Sequence, residues 1–230
     1  MRPAANTSGL AARLREETRI EHSSAERGDF VHALMRGRLT RERYATYLLA
    51  LWPIYEALEA GLQRHAGHPV VGPLALPELY RSPALAADLG DLFDLTPGAQ
   101  PVVPAAVAYA ERLYRLADAA PSLLVAHAYT RYLGDLSGGQ ILRLGAARVL
   151  GLPPDAPSGT PGLGFYDFPI KDLESYKHFI RARLDALPID AGQAAAIISE
   201  ARWAFGGTAA VFADVLPEPA FSGQAGHHVR

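Results

Sequence analysis

From Leu10 to Leu216 the apolar residues recur at the three- and four-residue spacing of helices, and no convincing run of alternating β-branched residues interrupts them. That pattern points to an all-α chain. Asn6, Thr7 and Ser8 stand as caps before a first amphipathic helix over residues 10–27, which Gly28 closes. Thr40 opens a second helix that runs to residue 65, with Gly67 and Pro69 stopping it and Pro53 expected to kink it. A shorter helical piece covers residues 83–92, a helix follows over 104–119, and a long helical segment extends over 121–150. The proline- and glycine-rich stretch 152–162 reads as loop, and helices over 171–187 and 190–216 complete the chain. The last two helices alone would make a poor separate core. One all-α domain over residues 10–216 is therefore expected, with flexible ends at 1–9 and 217–230.

Composition narrows the chemistry. The 230 residues contain no cysteine, which removes disulfides, thiolate zinc sites, iron–sulfur clusters and cysteine nucleophiles. With two methionines, a bound metal must rely on His, carboxylate or Tyr. Lys and Arg number 22 against 24 Asp and Glu, so no net basic field recruits nucleic acid or an anionic membrane. The N-terminus lacks the apolar core and cleavage site of a signal peptide. The most apolar stretch, residues 44–55, contains a proline and is shorter than the roughly 20 residues of a membrane span. The expectation is a soluble, cytoplasmic protein without a membrane anchor, and a monomer.

The informative segment is Tyr129-Thr130-Arg131-Tyr132-Leu133-Gly134-Asp135-Leu136-Ser137-Gly138-Gly139-Gln140, set inside an otherwise strong helical pattern. Each helical glycine costs about 1 kcal/mol relative to alanine, so Gly134, Gly138 and Gly139 together cost roughly 3 kcal/mol. They leave one helix face without Cβ atoms, which lets another surface approach the backbone and lets the helix bend. Close helix packing is the bland explanation. The neighbouring Tyr129, Arg131, Tyr132 and Asp135 are too polar for a plain packing seam, and a flat ligand against the glycine face fits them better.

A flat, metal-bearing ligand needs a ligating residue on an opposite wall. Of the eight histidines, His227 and His228 lie in the tail and His65 and His68 at a helix end. His127 reads as structural. His22 differs, because Glu26 four residues on shares its helix face and can accept the second ring N–H. Arg15, two turns back, can pair an acidic edge of the ligand, and Lys177 and Arg181, one turn apart, suit paired carboxylates or phosphate. Taken singly, each of these also reads as an ordinary solvated helix face.

Together they resemble the heme oxygenase family, in its soluble bacterial form. The string VAHAYTRYLGDLSGGQ (residues 125–140) resembles the family's distal-helix signature, and REETRIEHSSAE (15–26) its proximal helix. LWPIYEALE (51–59), FYDFPI (165–170) and YKHFIRARL also align in order. The resemblance implies an all-α helical bundle with heme sandwiched between a proximal helix and a kinked, glycine-rich distal helix. It implies that heme b is both substrate and cofactor, with dioxygen as co-substrate and electrons from a ferredoxin or flavoprotein reductase. The reaction implied is oxidative cleavage at a meso carbon, the α position by analogy, to biliverdin, carbon monoxide and ferrous iron.

Carried over by residue, the resemblance makes His22 the axial iron ligand and Glu26 its hydrogen-bond acceptor. It gives Gly134 and Gly138 the distal wall, with Gly139 helping the helix flex, and gives Asp135 the distal water network, supported by Tyr55 and Arg131. It assigns the propionates to Arg15, Tyr129, Lys177 and Arg181. Arg15 stands where many relatives have lysine, and Pro53 next to Trp52 is unusual. Three rival readings stay open on the sequence: a heme carrier or sensor without turnover, a di-iron carboxylate protein, and a helical module that packs a partner against the glycine face.

Overall fold

The computed structural model describes residues 9–216, and among them every regular element is helical. In chain order these are α1 (Leu10–Glu17), α2 (Arg19–Glu26), α3 (Asp29–Met35), α4 (Arg41–Arg64), α5 (Ser82–Phe93), α6 (Pro104–Ala119), α7 (Leu124–Ala128), α8 (Gln140–Leu150), α9 (Leu173–Asp185) and α10 (Ala191–Val215). The terminal stretches expected to be flexible lie, but for Gly9, outside the described residues. The long α4 and α10 form the frame. α4 packs on α5, α6 and α10, while α10 also supports α2, α6 and α7. Tyr44, Leu48, Leu51, Ile54, Tyr55 and Leu58 bury one side of α4 in the shared core.

Local chemistry accounts for most boundaries. Thr40 Oγ1 accepts from Arg43 N (3.2 Å) at the start of α4. Asp190 and Gln193 form a reciprocal capping box on α10, with bonds of 2.8 and 3.0 Å. Pro53 lies inside α4, and the helix runs through it to Arg64. The loop after α8 is pinned by buried Asp88, which accepts from Gly162 N, Gly164 N and Phe165 N at 2.8–3.0 Å.

Three features differ from the sequence expectation. The first helix is two, joined at Thr18 (φ −110°, ψ 11°), whose hydroxyl donates to Leu14 O at 2.7 Å. That side-chain bond competes with regular helix geometry, while the backbone ladder continues across it through His22 N to Thr18 O (2.9 Å). Second, α3 fills the interval between Gly28 and Arg36, where a seven-residue helix is too short to show a period. Third, the segment expected as one α-helix over 121–150 contains two wide π turns. His65 and His68 also do more than face solvent: His65 Nε2 meets Ala117 O (2.8 Å), and His68 Nδ1 accepts from Val70 N (3.1 Å).

Packing through small residues occurs, but away from the glycine-rich motif. A Cβ on Gly145 would lie 2.7 Å from Leu34 O and 3.0 Å from Met35 Cα, where α8 crosses α3. Backbone cannot retreat as a side chain can. Gly145→Ala is therefore expected to destabilise the ligand-free protein by roughly 1–3 kcal/mol, measured by urea unfolding. An unchanged midpoint would mean that α3 and α8 cross less tightly.

Candidate functional site

The residues singled out above converge on a cleft between α1–α2 and the segment 129–139. An outer cavity of about 830 Å³ is lined by Arg15, Thr18, His22, Tyr129, Gly134 and Arg181, among others. An inner cavity of about 290 Å³ adjoins it and reaches Tyr55, Arg131, Asp135, Gly138 and Gly139. His22, Thr130, Gly134 and Phe205 line both.

The distal wall is unwound. Tyr129–Leu133 and Asp135–Gly139 are consecutive π-helical turns between α7 and α8. Such turns cluster at functional sites because their weaker packing has to be stabilised from elsewhere. Here Thr130 Oγ1 donates to Ala126 O (2.8 Å), and Gln140 Nε2 donates to Asp135 O (3.3 Å) and Tyr166 O (2.9 Å). A Cβ on Gly134 or Gly138 would meet nothing within 4 Å. Neither glycine is required by packing within the chain, which weighs against the packing-seam reading. Gly139 is different: its Cβ would touch Asp135 Cβ at 3.5 Å. Gly138→Leu is accordingly expected to fold at least as stably as the parent, helped by up to about 1 kcal/mol of helix propensity, while binding a planar ligand more weakly. Thermal unfolding and hemin titration of that variant check the two halves; undiminished hemin affinity would remove Gly138 from the wall.

On the opposite wall, His22 projects from α2 with its ring edge-on to Phe205, centroids 5.5 Å apart. Glu26 Oε2 lies 3.5 Å from His22 Nδ1, a looser approach than a full hydrogen bond. At the inner end Tyr55 Oη donates to Asp135 Oδ2 at 2.5 Å. Burial pushes the Asp135 carboxyl up to about 6, against the opposing pull of Arg131, Tyr55 and Arg81. Arg131 is anchored by Thr208 Oγ1 (2.5 Å), yet its Nε and the hydroxyls of Tyr132 and Tyr166 are buried without a partner. These orphaned groups are the kind that ordered water satisfies.

At the outer end Arg15, Tyr129 and Arg181 gather around the mouth. Lys177 does not join them: it is largely buried one turn back on α9 and pairs with Glu174. His127 is structural. Its Nε2 meets Glu200 Oε1 (2.9 Å) and its Nδ1 the Tyr109 hydroxyl (3.0 Å). Burial holds the His127 pKa below its ordinary value. Burial also works against ionised Glu200, but the bonds from Arg112 and His127 outweigh it and bring its pKa to about 2. Thr130, Phe205 and Thr208 are cleft residues that sequence reasoning missed. The last two come from α10, more than sixty residues beyond the motif, and no local signal marks them.

Comparison with known proteins agrees with this geometry. The sequence profile of the heme oxygenase family matches residues 8–214. Human heme oxygenase 1 is 39% identical over 201 residues, spanning 85% of this chain and 68% of that protein. Heme oxygenase 1 of the cyanobacterium Synechocystis is 37% identical over 198 residues, 85% of this chain and 80% of that one. The solved structure of the Synechocystis enzyme in complex with heme superposes with a TM-score of 0.84 at 35% identity, covering 91% of this chain and 93% of that one. Heme oxygenase from Leptospira interrogans gives a TM-score of 0.82 at 38% identity, over 89% and 98% of the two chains. Among the described residues no helix is long and apolar enough to cross a membrane. A profile match over nearly the whole described chain, together with a cleft that sets a histidine against an open glycine face, establishes that this chain belongs to the heme oxygenase family, enzymes that degrade heme.

Proposed function

We propose that the chain binds heme in this cleft and cleaves it at a meso carbon to biliverdin, carbon monoxide and ferrous iron. The observation that carries the reading is the pairing of His22 with the vacant Cβ space of Gly134 and Gly138, with ionisable Asp135 directly behind them. Bound heme supplies both the ring to be opened and the iron at which dioxygen is reduced.

The chain's own residues then divide the work. His22 ligates through Nε2, while Glu26 steadies Nδ1 and with it the ring's orientation. Gly134 and Gly138 admit the porphyrin close to backbone, and Gly139 lets the helix give. Asp135, titrating near neutrality, holds and passes a proton through ordered water, with Tyr55 fixing its Oδ2 and Arg131 moderating its charge. Arg15, Tyr129 and Arg181 receive the propionates and so set the rotation of the ring, which decides the edge nearest the glycine wall. Lys177 reaches those carboxylates only by leaving Glu174. The ring orientation they favour exposes the α position.

With no cysteine in the sequence, the chain has no iron–sulfur relay of its own. We assign it a ferredoxin or flavoprotein reductase as electron donor and place the work of a monomer in the cytoplasm. The test is one equivalent of hemin, then ascorbate in air with catalase present, followed in the visible spectrum. A Soret band that forms and gives way to biliverdin absorption is the expected result. A Soret band that persists under proven electron delivery would favour a carrier or sensor; no hemin binding would end the reading.

A further inference from the structure

We infer that Arg202 is a positioning residue that sets the angle of α2 and thereby aims His22; the aim rests on the heme reading above, the mechanical part does not. The need for such a device comes from α2 itself. None of its eight residues is buried, so no apolar face locks its orientation as the core locks α4 or α10. It is also uncoupled from perfect continuity with α1 by the kink at Thr18, where the threonine hydroxyl occupies Leu14 O.

Arg202 of α10 meets this junction from the side. Its Nε donates to Glu17 O at 2.9 Å, a carbonyl at the end of α1. The same guanidinium lies 3.8 Å from Glu17 Oε2 and 3.8 Å from Glu21 Oε1, so one fork touches the last residue of α1 and the first turn of α2. Glu21 immediately precedes His22, and Phe205, three residues after Arg202, places its ring against the imidazole at 5.5 Å. One turn of α10 therefore supplies a polar staple to the base of α2 and an apolar stop to its ligating side chain. A planar guanidinium reaches three acceptors in fixed relation, and an ammonium on a flexible stem does not.

The experiment compares Arg202→Met and Arg202→Lys with the parent. In ligand-free protein, amide exchange over residues 17–26 is expected to accelerate by about fivefold or more in both variants, with α4 amides unchanged. In the hemin-loaded, reduced proteins, the iron–imidazole stretching band in resonance Raman should shift and broaden. Unchanged exchange in both variants would overturn the staple. Full restoration by lysine would also overturn it, since charge alone would then suffice. Faster exchange with an unmoved iron–imidazole band would overturn the aiming role. Absence of that band in the parent would strike at His22 as ligand, and with it the aim, while the exchange result still judges the staple.

Discussion

Replacing His22 with alanine will abolish reductant-supported biliverdin formation while leaving part of the hemin affinity. The other cleft walls remain: the open faces of Gly134 and Gly138, and the cationic mouth at Arg15 and Arg181. What disappears is the one imidazole set across from that wall. The bound-hemin spectrum should change because the metal loses a strong-field nitrogen. A spectrum identical to the parent's would remove His22 from the axial role. Glu26→Gln is expected to act in the same direction but weakly. Outer-shell partners of a ligating histidine typically contribute about 10–100-fold, and a 3.5 Å contact between half-exposed groups belongs below that range.

Asp135→Ala should separate binding from chemistry. Hemin affinity is expected to stay within about twofold, because the carboxylate lies behind the glycine face, whereas biliverdin formation should fall by roughly 10²–10⁴, the usual contribution of a positioned proton donor. Peroxidase-like oxidation of added phenols should rise as the productive route closes. Normal biliverdin yield would sink the assignment.

The same carboxylate leaves a mark on stability. Burial raises it from an ordinary 3.8 to about 6, so the folded protein holds the proton more tightly than the unfolded chain does. Its contribution is most favourable below the unfolded value and is lost as pH rises through the folded one, up to about 3 kcal/mol in all. Asp135→Asn lacks this dependence. In calorimetry without hemin, its advantage over the parent should grow between pH 4 and 6 and level off above. An advantage equal at pH 4 and 7.5 would mean that the carboxyl titrates at its ordinary value.

The distal wall was legible because its signal is local. Gly134, Asp135, Gly138 and the tyrosines sit within twelve consecutive residues, and their cost to a helix demands a reason. His22 with Glu26 was legible for the same reason, as a one-turn pair. The winding of the wall was not. Whether a glycine-rich segment forms α or π turns depends on where Gln140 finds acceptors, and one of them, Tyr166 O, lies 26 residues downstream. Phe205, Thr208 and Arg202 were invisible because they enter the site only when α10 folds across α2 and α7. Lys177 was placed with Arg181 on spacing alone, and spacing cannot reveal that Glu174 holds it.

The two wide turns of the distal helix also restrict how the chain can change length. A π turn accommodates one residue more than an α turn, so removing a residue between Tyr129 and Gly139 would leave a sound hydrogen-bonded helix. It would also rotate everything beyond by about 100°. Gly145 would then swing away from Leu34 and Met35, and Arg143 from the Asp167 carboxylate it now meets at 3.4 Å. Deletions in this segment should thus be rarer than substitutions, even where the lost residue touches no substrate.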